Sequence, residues 1–132
     1  MSGCVLHVRG DDFDVDAFLT QSTLRPYQIH RRGEPRRYHG GNHSDSGFSL
    51  DVSEADGDLA AQVEDAIRLL REWEPELQHL QTFGGVSDAR LDFGYFRRDA
   101  AVQCDFLPAS LLAVAGRCGI GIELSLYPTP TT

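Results

Sequence analysis

Polar and apolar positions alternate along six stretches of this chain and recur at helical spacing along three others. Cys4-Val5-Leu6-His7-Val8 reads as a strand, with Cys4, Leu6 and Val8 on one face and Val5, His7 and Arg9 on the other. Asp11 and Asp12 then precede a short helix in which Val15, Phe18 and Leu19 share a stripe, its first turn acidic as the helix macrodipole favours. Pro26 ends that region, Tyr27 to His30 alternates like an edge strand, and Gly33, Pro35, Gly40 and Gly41 mark a long loop. Gly47 to Val52 alternates strictly and predicts a further strand.

The strongest helix follows a cap at Asp56 or Asp58. Leu59, Val63, Ala66, Ile67, Leu70 and Trp73 form one broad apolar face, while Gln62, Glu64, Asp65, Arg68, Arg71 and Glu72 decorate the other side. Glu64 with Arg68 and Arg68 with Glu72 are spaced as i,i+4 pairs, and Pro75 starts a further helical turn carrying Leu77 and Leu80. After Gly84-Gly85, Ala89, Leu91, Phe93 and Tyr95 predict another strand. Arg97-Arg98-Asp99 fits a hairpin turn into a strand over Val102, Cys104 and Phe106. Pro108 opens a helix from Ala109 to Arg117 closed by Gly119, and Ile120 to Tyr127 is the last strand. The order β-α-β-β-α-β-β-α-β predicts an α+β fold. It would be a two-layer sandwich with helices packed on an antiparallel or mixed sheet, its split β-α-β packing like that of ferredoxin-like folds.

Composition narrows the class. At 132 residues, 41% apolar and 24% charged, the expectation is a single domain over 1–127 with a flexible tail at 128–132. Cys4, Cys104 and Cys118 form no CxxC pair and sit in apolar-patterned segments, which fits buried thiols in a reducing cytoplasm. No run of about 18 apolar residues is present, so no membrane contact is expected. A formal charge of −8 disfavours nucleic acid as the partner, because phosphates are repelled at long range.

Charge is not evenly spread. Between Arg25 and His43 lie five arginines, three histidines and two tyrosines against the single acid Glu34, a formal +4 that leaves −12 for the rest of the −8 chain. Arg31, Arg32, Arg36 and Arg37 around Gly33 are candidate ligands for a carboxylate or an acidic partner, since guanidinium groups bind carboxylates bidentately. Tyr27 and Tyr38 are candidate aromatic anchors. The competing reading is that these arginines pair with the chain's own Asp and Glu.

Metal and catalytic readings have less behind them. His39 and His43, with Asp45 and His30 nearby, offer zinc-type ligands, but Gly40 and Gly41 argue against the helix that would align them. Asp12, Asp14 and Asp16 imitate a calcium loop, yet the sixth and twelfth positions counted from Asp12 are Ala17 and Thr23. No GxSxG or phosphate-loop motif occurs, and His7 reads as a satisfied structural histidine on a strand. No cofactor and no catalytic residue is assigned.

Leu24-Arg25-Pro26 followed by Arg32-Gly33-Glu34, the strand Gly47 to Val52, and the ending Leu111-Leu112-Ala113-Val114-Ala115 with Gly119-Ile120-Gly121-Ile122-Glu123-Leu124 resemble a family of small bacterial proteins known only as a domain of unknown function. The chain departs from that pattern at Phe48, where a tryptophan is expected, and in the His/Gly-rich insert before it. The resemblance implies no catalytic residue, and immunity-type partner binding is one role associated with such domains.

The reading is therefore a cytoplasmic bacterial α+β domain, non-catalytic, that binds an acidic protein partner through Tyr27, Arg31, Arg32, Arg36, Arg37 and Tyr38. The alternatives are a small-molecule or metal binder using His30, His39 and His43, and an uncharacterised enzyme. A homodimer through an exposed strand such as Tyr27 to His30 is compatible with all three.

Overall fold

The alternation of Cys4, Leu6 and Val8 is realised as the central strand of a sheet whose apolar side is covered by helices. The computed structural model describes residues 3–129. The tail expected over 128–132 lies outside the described residues from position 130 on. Among the described residues the elements are β1 (Cys4–Gly10), α1 (Val15–Thr20), β2 (Gln28–His30), β3 (Ser46–Ser53), α2 (Leu59–Phe83), β4 (Asp88–Phe96), α3 (Ala109–Arg117) and β5 (Gly121–Tyr127).

The sheet runs β2-β3-β1-β4-β5. β1 is antiparallel to both β3 and β4, so β3 and β4 run parallel with β1 between them, and β3–α2–β4 is the split β-α-β unit. β2 pairs antiparallel with β3, and β5 pairs parallel with β4. The fold is α+β with a mixed, open, five-stranded sheet and three helices.

One face of the sheet makes the core. Leu6, Val8, Phe48, Leu50, Leu91 and Phe93 are buried there against Phe18, Leu70, Leu77, Leu111 and Val114 of the helices. Phe18 stacks on Phe48 at 6.2 Å and meets Phe83 edge-on at 5.5 Å, tying α1 to β3 and to the end of α2. Burying one such side chain is worth about 1.5–3 kcal/mol. At the end of β1 a Cβ on Gly10 would overlap the Gly85 carbonyl oxygen, so the bare glycine lets the chain after α2 close over the sheet.

Some expectations differ from this architecture. Val102 to Phe106 is not a strand: the segment between β4 and α3 is irregular, with Val102 and Phe106 74% and 79% exposed. β5 occupies the flank of β4 where a hairpin partner would pair, and Asp105 holds the segment as a loop by accepting from Tyr95 Oη (2.9 Å), Gln103 Nε2 (2.9 Å) and Arg98 Nη2 (3.2 Å). Burial and Asp105 together push the Tyr95 hydroxyl up to about 12. Pro75 carries the helical turn expected with Leu77 and Leu80, within one unbroken helix. It lies inside continuous α2, on its exposed side, where water can take the carbonyl freed by the missing N–H, while Leu70, Leu77 and Leu80 carry the buried face past it. Gln62, expected on the polar side, is fully buried, its Nε2 donating to the carbonyls of Ala55 and Gly94 at 2.8 Å each. Arg68 also chooses a different partner from the i,i+4 pairs, Asp65 at 3.2 Å.

Candidate partner-binding hairpin

The basic segment is built as an extension of the β2–β3 pair. Gln28, Ile29 and His30 pair with Ser49, Phe48 and Gly47, and Arg32 N donates to Ser46 Oγ at 2.9 Å. Beyond the sheet the two arms stay paired: Gly33 N donates to His43 O (2.9 Å), His43 N to Glu34 O (2.8 Å) and Arg36 N to Gly41 O (2.9 Å), with a bridge between Pro35 and Asn42. The long loop anticipated over 33–47 is thus, up to His43, a hairpin whose tip is Arg37, Tyr38, His39 and Gly40. Gly40 and Gly41 both have φ of +67°, the left-handed conformation that other residues adopt at a cost, and together they reverse the chain.

The six residues singled out in the sequence fall into two groups. Arg31 lies at the base, gripping Asp16 of α1 with Nε and Nη2 at 2.8 Å each and lying 3.6 Å from Glu34. The hydrogen bonds from Arg31 hold the Asp16 carboxyl below its ordinary range and raise the arginine in turn. Arg32 reaches the Asp11 carbonyl at 3.3 Å and the Asp12 carboxylate at 3.8 Å. Tyr27 is exposed beside the base, its N–H spent on Ser49 O. Arg36 and Arg37 are exposed, and among the described residues no ion pair involves either. Tyr38 is 82% exposed, with the Arg37 guanidinium 6.0 Å from its ring centre.

The histidines do not converge. The rings of His30 and His43 lie 4.9 Å apart at the base, whereas His39 is at the exposed tip. Asp45 accepts from His30 Nε2 (2.9 Å) and Arg9 Nη1 (3.2 Å). Burial raises this carboxyl, but the bonds from Arg9 and His30 outweigh it and the net shift is downward. Among the described residues no three His, Cys, Asp or Glu side chains are grouped so as to hold a metal ion.

Two features gave no signal in the sequence. Across the open face of the sheet runs a chain of alternating charges, from Asp45 through Arg9, Asp88 and Arg90 to Glu123, with Arg90 Nε 2.8 Å from Asp88 and His30 bonded to Asp45 at its start. It borders a shallow cavity of about 290 Å³ in which His7 Nδ1 meets Ser49 Oγ at 2.9 Å. Among the described residues the side-chain hydrogen-bond partner of His7 is this serine hydroxyl and not a carboxylate. Alternation exposed the individual residues, but their cross-strand order depends on the sheet topology. The second feature is a cleft of about 860 Å³ between the 97–106 loop and the start of α2. Asp58, Asp99 and Asp105 share it with Arg97 and Arg98, so its charge selects no ligand class.

Among the described residues no helix is long and apolar enough to cross a membrane. No curated protein and no solved structure matches the chain. The layout that resembles a family without assigned chemistry is matched, over residues 1–129, by the family model described as a domain of unknown function (DUF4279), and the chain belongs to that family.

Proposed function

We propose that this protein is a non-catalytic binding module whose β2–β3 hairpin tip docks on an acidic protein surface. The observation that carries this reading is the placement of Arg36, Arg37 and Tyr38 on a paired, projecting hairpin, with no ion pair to either arginine among the described residues. Two uncompensated cations beside an exposed aromatic ring suit a carboxylate-bearing partner, the arginines steering the encounter and Tyr38 supplying apolar contact. The −8 charge of the whole chain then helps reject nucleic acid and other anions that lack a surface shaped for the tip. Arg31, Arg32 and Tyr27 support the hairpin from its base. An immunity-type role is one specific form of this reading.

The test is affinity capture from the native host's lysate at physiological ionic strength, where the Debye length is about 8 Å. The expected result is a stoichiometric acidic partner held by the unaltered protein and lost by Arg36→Glu/Arg37→Glu, with thermal unfolding unchanged. Equal capture by the double variant rules the tip out.

A further inference from the structure

The sheet has two open edges, and they are unlike. β2 is three residues long and runs directly into the projecting hairpin at Pro35, features that hinder pairing with another strand. β5 is seven residues long, with no proline or basic residue between Gly121 and Tyr127. A single bond fixes the direction of its backbone groups. Arg97 N donates to Tyr127 O, so the carbonyl of Tyr127 faces β4, and in a parallel ladder the groups of Ser125, Glu123 and Gly121 face β4 with it. The N–H and C=O groups of Ile122, Leu124 and Leu126 therefore point away from the sheet. Their side chains lie on the helix-bearing side, in register with Leu91, Phe93 and Tyr95, and Leu124 and Leu126 are each 41% exposed there.

We infer that β5 pairs antiparallel with β5 of a second copy of this chain, about a two-fold axis at Leu124, joining two sheets into one of ten strands. This register sets Leu124 opposite its own copy and Ile122 opposite Leu126, so all three outward-facing residues exchange hydrogen bonds. The two leucines and Ile122 meet their counterparts on the helix side, where Leu112 of α3 is also exposed. Charge selects the same register. Glu123, already 3.6 Å from Arg90, falls opposite Ser125, whereas an axis at Glu123 would oppose two carboxylates. An axis at Ser125 brings Pro128, which has no N–H, against Ile122. The pairing is independent of the hairpin's role. If the hairpin also binds as proposed, the dimer carries its two basic hairpins at opposite ends of the joined sheet. The β2 strands would be roughly 40 Å apart at a spacing of about 4.8 Å per strand, an arrangement suited to bivalent capture.

The test is sedimentation equilibrium of the full chain over a wide concentration range, with amide exchange measured residue by residue. The expected mass approaches twice 14.6 kDa as concentration rises, and the amides of Ile122, Leu124 and Leu126 gain protection while those of β2 do not. Leu124→Pro removes one outward N–H and no bond to β4, so it should give a folded monomer, as should Leu124→Lys. A monomer at every concentration overturns the inference, as does a dimer that persists in both folded variants or protection that appears at β2 instead. Should either variant fail to fold, the exchange pattern of the unaltered chain decides.

Discussion

The base and the tip of the hairpin carry the same residue type and have opposite surroundings. Arg31 and Arg32 sit within reach of Asp16, Asp11 and Asp12, at the two ends of the β1–α1 connection, and their charge is spent inside the molecule. Arg36 and Arg37, a few residues further on, are carried outward by the paired arms of the hairpin, and among the described residues neither makes an ion pair. What separates them is reach and not residue type. An internally paired arginine fixes the hairpin's direction, whereas an unpaired one remains available to another molecule. The competing reading of the basic segment, self-pairing, therefore holds for its base and leaves the tip open.

The comparison breaks most visibly if charge at the tip is reversed. Arg36→Glu/Arg37→Glu should weaken partner binding by ~100-fold or more, measured by titration calorimetry, because two attractive contacts become repulsive. Tyr38→Ala should weaken it by roughly 30-fold, equivalent to about 2 kcal/mol for a well-packed aromatic anchor, without altering the salt dependence of the association rate. Gly41→Val tests presentation without touching charge. The strained left-handed position should cost about 1–2 kcal/mol in chemical denaturation and blur the tip, lowering affinity although both arginines remain. Arg31→Gln should lower affinity by only about threefold, as expected for an exposed pair that orients without touching the partner.

Acid gives the smallest effect and the sharpest sign. Asp16 has a folded pKa below its unfolded value, so the stability it contributes is present above the ordinary carboxylate range, about 3.9. It is lost only as pH falls through the lower folded value. The Arg31 side-chain N–H signal in NMR should therefore stay fixed from neutrality down to about pH 4 and move only below that. A signal that already moves between neutrality and about pH 4 would contradict the pairing with Asp16.

Much of the fold was legible from periodicity. β1, β3, β4 and α2 follow patterns that each local stretch displays, because one face of each is buried against the same core, and β5 alternates in the same way although Leu124 and Leu126 stay 41% exposed. Val102 to Phe106 shows the limit. Its alternation is as regular as that of a strand, but the flank of β4 is taken by β5, a pairing set by elements distant in sequence. Gln62 shows the converse, a polar residue buried because the carbonyls of Ala55 and Gly94 need a donor that neither α2 nor the sheet provides. At the candidate site, the sequence located the basic segment and its six residues. It could not divide them, because the partner of Arg31 lies across a fold-dependent contact. The split of the histidines between tip and base likewise follows from the arm pairing that the two glycines permit.

The most direct measurement is quantitative capture of the partner by three baits at physiological salt: the unaltered protein, Arg36→Glu/Arg37→Glu and Arg31→Glu/Arg32→Glu. The account predicts that reversal at the tip abolishes capture while reversal at the base leaves it within a few-fold of the unaltered protein. Equal losses in the two variants, or a loss confined to the base, would contradict it.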